Sequence, residues 1–193
     1  MAFNFNVQDF RTSLAFDGAR PSLFNITMSC PPSVAIGNVN EQITFKARAA
    51  SLPGDSVSSI VVNYFGREIK VAGTRTFPDW SITVINDEDF LIRNTFERWM
   101  SSINSHVNNL RSPAMAVSAE YQTNAVVRQY AKTGEIIKTY NFVGIFPTDV
   151  AAIDLDWASG DQIEEFGITF AYQWWESLAP VPTTDSVSAV SGL

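Results

Sequence analysis

One cysteine, Cys30, and one histidine, His106, set the limit on the chemistry this chain can perform. A thiol nucleophile needs a base within hydrogen-bond reach. Cys30 stands directly before Pro31-Pro32, so it reads more simply as a residue at a strand end. One Cys and one His also fall short of the common zinc sets. Asp154 and Asp156, two apart on a strand, would point to one face, as an acid/base or metal pair must. A solvated strand face explains the same two carboxylates. Asp87-Glu88-Asp89 suits the start of a helix, where the dipole favours negative charge. Gly66 and Gly73 make no phosphate loop, and the chain has no Walker or dinucleotide pattern. Trp80, Trp99, Trp157, Trp174 and Trp175 could stack on a sugar, but four of them fall on expected core faces, so packing accounts for them better. The residues point to no catalytic, metal or cofactor set, and the expectation is a protein that is not an enzyme.

Composition narrows the class. The chain has 193 residues, 46% of them hydrophobic, enough for one sizeable core rather than a disordered chain. The net charge of −7 comes with thirteen Lys and Arg spread singly. A specific nucleic-acid reader would show a basic stripe, because phosphate neutralisation supplies most of its affinity. With a single cysteine there is no disulfide framework. The first residues carry no basic segment followed by an apolar run, and no stretch approaches ~18 apolar residues, so neither a signal peptide nor a membrane span is expected.

The elements that would carry these residues are mostly strands. Residues 1–19, with Phe3, Phe5, Phe10, Leu14 and Phe16, read as an arm or short helix needing another surface. Leu23, Phe24, Ile26 and Met28 suggest a first strand. Alternation of Ile43, Phe45, Ala47 and Ala49 predicts a second over residues 43–50. Residues 50–79 read as an extended hairpin or loop that a monomer would bury poorly, turning at Gly66-Arg67. Trp80, Ile82 and Val84 share one strand face. An amphipathic helix capped by Asn86 or Asp87 follows, with Ile92, Phe96, Trp99, Met100 and Ile103 as its stripe. Two strands around Lys132-Thr133-Gly134-Glu135 make a hairpin that Pro147-Thr148-Asp149 ends. Ile153, Leu155 and Trp157 alternate next. In the last strand Phe166, Ile168, Phe170, Tyr172 and Trp174 face one way and the smaller Gly167, Thr169 and Ala171 the other. Residues 177–193 shift to Ser, Pro, Thr and Val and read as unstructured without a neighbour.

Several collinear blocks carry a resemblance. Arg20-Pro21-Ser22-Leu23-Phe24 and Ala50-Ser51-Leu52-Pro53-Gly54 open it. The densest block is Gly66-Arg67-Glu68-Ile69-Lys70-Val71-Ala72-Gly73-Thr74-Arg75-Thr76-Phe77-Pro78-Asp79-Trp80, and it runs on to Asp87. Phe96-Glu97-Arg98-Trp99, Ala125-Val126-Val127-Arg128-Gln129-Tyr130, Gly144-Ile145-Phe146-Pro147 and Leu155-Asp156-Trp157 continue it to Glu176. Over residues 20–176 the chain resembles the tail tube proteins of contractile-tailed bacteriophages. It departs from them in the loop at residues 31–40, in residues 101–119 and beyond residue 176. The implied organisation is an arm (1–19), a tail tube domain (20–176) and an extension (177–193).

The resemblance implies a mainly β (α+β) fold, a β-sandwich or barrel-like body with one flanking α-helix and a long inter-ring loop. It implies hexameric rings stacked into a hollow tube within the virion, assembled in the host cytoplasm. Implied partners are the tail sheath, baseplate, tail terminator and tape measure proteins; DNA passes through the lumen without specific binding. Six copies at −7 give a formal −42 per ring, so acidic residues are expected to outnumber basic ones in the lumen. Expected contact residues are Arg20, Pro53, Gly54, Arg67, Lys70, Arg75, Phe77, Asp79 and Trp80; expected core residues are Phe96, Trp99, Trp157, Phe166 and Phe170. The inner tube of a contractile injection device or type VI secretion system is the alternative within this architecture, and a β-sandwich binding module the one outside it.

Overall fold

A computed structural model describes residues 6–14 and 18–178. β-Branched and aromatic runs broken by Gly and Pro form strands β1 (Phe24–Met28), β2 (Ala47–Ala50), β3 (Ser56–Tyr64), β4 (Arg67–Thr76), β5 (Trp80–Ile85), β6 (Thr123–Tyr130), β7 (Ile136–Val150), β8 (Glu165–Ala171) and β9 (Trp174–Leu178). The helices are α1 (Val7–Ser13), α2 (Val39–Lys46), α3 (Leu91–Ile103) and α4 (Ser118–Tyr121). Among the described residues, seven strands join in the order β1-β6-β7-β8-β5-β2 with β9 added on β7, while β3 and β4 pair only with each other.

Strand β7 serves two ladders. Its first part pairs with β6 and β9, and residues 146–150 pair with β8. Just before the changeover lies Gly144, in an irregularity of the β6 ladder, at φ +69, where a Cβ would meet the Gln173 side chain at 2.7 Å. A glycine adopts that bend without strain. The bend turns one half of the sheet over the other, and the two faces meet in a sandwich core. Trp80 of β5 stacks on Phe142 of β7 with ring centroids 4.4 Å apart, and Phe142 meets Tyr172 edge-on at 5.1 Å. The fold is mainly β, with α3 flanking. Helix α3 buries Ile92, Phe96 and Trp99, sets Phe96 edge-on to Phe170 at 5.6 Å, and has the Trp99 indole donate to the Tyr121 carbonyl at 3.0 Å.

Six local expectations need correction. Residues 39–46 are helix, not strand: Val39 and Ile43, one helical turn apart, are the pair that the core buries, whereas Phe45 is 84% exposed. Only residues 47–50 form strand, along β5. Helix α3 starts at Leu91 rather than after Asn86 or Asp87. The Asp89 carboxylate accepts from the Leu91 amide at 3.0 Å, while Asp87 instead pairs with Lys46, whose hydrogen bond and charge hold that carboxyl below its usual range. Pro147 does not end β7, because past Ile145 one side of that strand is unpaired among the described residues and needs no proline N–H. Trp157 is fully exposed in a loop with no strand around it, so it packs in no core. A bend at Gln173 moves Trp174 onto β9, where it pairs with Val143 and is half-exposed. Strand β9 also crosses the expected boundary at residue 176. Of the N-terminal aromatics, Phe3, Phe5 and Phe16 lie outside the described residues, as do residues 179–193.

Cys30 is buried, and burial pushes its thiol from 9.0 up to about 12. A raised folded value means that the neutral thiol favours the fold below pH 9, and that this contribution is lost as pH rises from about 9 to about 12. Wild type is therefore expected to lose urea-unfolding midpoint more steeply than Cys30→Ala across that window. Equal slopes in the two proteins would contradict it.

Candidate assembly interface

The hairpin of β3 and β4 is built like the rest of the protein but buries nothing. Its register sets Ile60 opposite Val71, Val62 opposite Ile69 and Tyr64 opposite Arg67, all on one face. Val61 with Lys70 and Asn63 with Glu68 make the other face, which is mixed. The first face is therefore an apolar strip, and its Ile60, Val62, Tyr64, Ile69 and Val71 are each about half exposed. A lone two-stranded hairpin is marginal in water. An apolar strip this long, held away from the core, marks an interaction surface.

The tip is costlier still. Phe65 and Gly66 both have positive φ, +47 and +80, as a two-residue hairpin turn of this hand demands. Gly66 fits that conformation, whereas a phenylalanine in it is strained by about 1–3 kcal/mol. Phe65 is 92% exposed and touches Tyr64 edge-on at 4.6 Å, so nothing in the chain's own core offsets the strain.

The base, by contrast, is clamped. The Trp80 indole donates to the Ser51 carbonyl at 2.8 Å and the Trp175 indole to the Gly54 carbonyl at 3.3 Å. Arg75 pairs with Asp55 at 3.4 Å, and the hydroxyls of Ser56 and Thr76 lie 2.8 Å apart. Phe77 leans on Tyr172, whose hydroxyl has no hydrogen-bond partner. Burial first, then the charges of Asp55 and Asp79, raise the Tyr172 pKa and keep it neutral. The result is a projecting arm with a fixed root.

Of the expected contact residues, Pro53, Gly54, Arg67, Lys70, Arg75, Phe77 and Asp79 come together in this hairpin and its root. Arg20 lies apart, at the entry to β1, where its carbonyl accepts from Gln129. Trp80 does not belong with them: at 1% exposure it is a core residue that reaches the hairpin only through Ser51. Reading from the sequence missed the apolar strip itself. Its signal was the β-branched run Ile60-Val61-Val62 in β3, for which the described residues offer no burying partner. Among the described residues no group of His, Cys, Asp and Glu is arranged to hold a metal ion, and no helix is long and apolar enough to cross a membrane.

Comparison with known proteins bears on the same span. The family described as "Phage tail tube protein" matches residues 19–178. Tail tube protein gp19 of Enterobacteria phage T4 is 37% identical over 161 residues, which cover 83% of this chain and 92% of gp19. A tail tube protein of Serratia phage KSP90 is 26% identical over 168 residues, covering 86% of this chain and 93% of that one. In the cap of the anti-feeding prophage, a solved chain superposes with a TM-score of 0.61 at 16% identity, covering 84% of this chain and 91% of its own. A chain of the sheath–tube complex of an extracellular contractile injection system gives 0.57 at 15%, covering 92% and 100%. At such identities the two structures share the fold.

Proposed function

The chain belongs to the phage tail tube protein family, and from that premise we propose that it builds its tube through the β3–β4 hairpin. It is a structural component of a contractile-tailed virion. In the proposed assembly six copies close into a ring and rings stack into a hollow tube. The observation that carries this reading is the hairpin: an apolar strip and a strained aromatic tip, both exposed, on a root fixed by the core.

Physical requirements support the same assembly. Among the described residues of one copy β1, β2 and β9 are edge strands with unpaired backbone groups, and closure into a ring removes such edges. A formal −42 per ring favours a lumen that repels DNA, which suits passage without retention. Sheath outside the tube and terminator and baseplate at its ends are the proposed neighbours, in line with the sheath–tube and cap assemblies that share the fold. The tube has no catalytic task, and tape measure protein and then DNA occupy its lumen. Identity to phage relatives at 37% favours a phage tail over an injection device. Negative-stain imaging of purified protein over a concentration series tests the reading. Rings or tubes are expected; a monomer that stays single at high concentration would overturn it.

A further inference from the structure

The hairpin and a second exposed surface stand at opposite ends of one sheet. The hairpin leaves β2 after Ala50 and rejoins at Trp80, beside Phe170. Residues 151–164 leave at the other end, after Val150 and before Glu165, beside Ile85. Strand β5, six residues long, separates the ends by about 20 Å at ~3.3 Å per residue. A hairpin pointing off one end meets the other end only in a different copy. Such a head-to-tail contact is the kind that propagates along an axis.

The two surfaces are complementary. Residues 151–165 carry Asp154, Asp156, Asp161, Glu164 and Glu165 and not one Lys or Arg. Glu165 pairs with Arg48, and Glu164 accepts from Asn86. No ion pair engages the three aspartates among the described residues. Leu155, Trp157 and Ile163 stand out on the same loop at 81%, 104% and 73% exposure. Beside them lies an open groove of ≈ 680 Å³ lined by Arg48, Ile153, Asp154, Asp161, Ile163 and Glu165. Strands β3 and β4 bring the opposite pattern: Arg67, Lys70 and Arg75 against Glu68 alone, beside an apolar strip. Arg75 is tied to Asp55, which leaves Arg67 and Lys70 toward the tip as the cations without an acidic partner among the described residues.

Resting on the reading that the hairpin is an assembly surface, we infer that its partner is the loop of residues 151–165 on a second copy. Tyr64 and Phe65 enter the groove at the tip, so that Arg67 on the apolar face and Lys70 on the opposite face each meet one of the acidic groups Asp154 and Asp161. Exposed apolar groups on both sides are then covered together, and charges of opposite sign set the register.

Charge exchange tests this on the full-length chain. Arg67→Glu with Lys70→Glu, and separately Asp154→Lys with Asp161→Lys, are each expected to raise the concentration needed for tube formation by about tenfold or more. All four changes in one chain are expected to bring it back near wild type. All these positions are on the surface, so circular dichroism and the unfolding midpoint of each variant should match wild type. A hairpin pair that blocks tubes beside a harmless loop pair would overturn the inference while leaving the hairpin as the assembly surface. So would two damaging pairs without rescue in the fourfold chain. A harmless hairpin pair would overturn both. Dissociation of tubes at high salt, where exposed pairs are screened, is the expected companion result.

Discussion

Excision of Ser56–Thr76, with a short Gly-Ser link from Asp55 to Phe77, is expected to leave a folded monomer that builds no tube. Ser56 and Thr76 are directly paired, so Asp55 and Phe77, which flank that pair, leave side by side and a short link joins them. The hairpin packs chiefly on itself, and its removal opens no cavity in the sandwich. Monomer stability should therefore change by less than about 1 kcal/mol. Assembly should fail outright, with the critical concentration raised by about a hundredfold or more, the scale of losing a central cluster of contacts. Sedimentation and negative-stain images measure the assembly, and urea unfolding measures the fold. Normal tubes from the excised chain would refute the assignment of the hairpin.

Trp80→Ala is expected to damage the fold itself. Its ring is buried between Phe142 at 4.4 Å and Phe170 at 5.7 Å, and its indole N–H satisfies the Ser51 carbonyl. Truncating a buried tryptophan costs about 3–5 kcal/mol, and the abandoned carbonyl adds about 1 kcal/mol. Against a typical total of about 5–15 kcal/mol this is a large share. Urea unfolding should show the loss directly, with Trp80→Phe in between because it keeps one aromatic ring while giving up the donor and the fused second ring. A loss under about 1 kcal/mol would mean that the two halves of the sandwich do not depend on this stack. The same tryptophan holds the root of the hairpin, so the hairpin's aim should loosen before the sandwich opens.

How far these features were legible in the sequence depended on whether local pattern and tertiary burial agree. In β5 and β8 they do: Trp80, Ile82 and Val84, and Phe166, Ile168 and Phe170, alternate and are buried as they alternate. In residues 39–50 they disagree. Ile43, Phe45, Ala47 and Ala49 alternate as a strand would, yet the core takes Val39 and Ile43 at helical spacing and leaves Phe45 in water. Leu155 and Trp157 repeat the problem in the loop of residues 151–164, where alternation without a neighbouring strand has no ladder to join. The three consecutive acids before α3 gave a plausible cap, but Lys46, distant in sequence, claims Asp87. For the hairpin, turn chemistry and β-branched residues announced the strands. Its exposure on both faces could only be expected from weak apolar content and needed the fold to be established. Arg67 and Lys70 were visible as isolated cations; the acidic loop at the other end of the sheet became their complement only once β5 fixed the two ends.

A cryo-EM map of tubes assembled from the full-length chain tests the central claim most directly. The expected density places Ile60, Val62 and Phe65 of each copy against another copy, with the hairpin ordered along its whole length. Tubes whose hairpins stand free in solvent, held together by other surfaces, would contradict it.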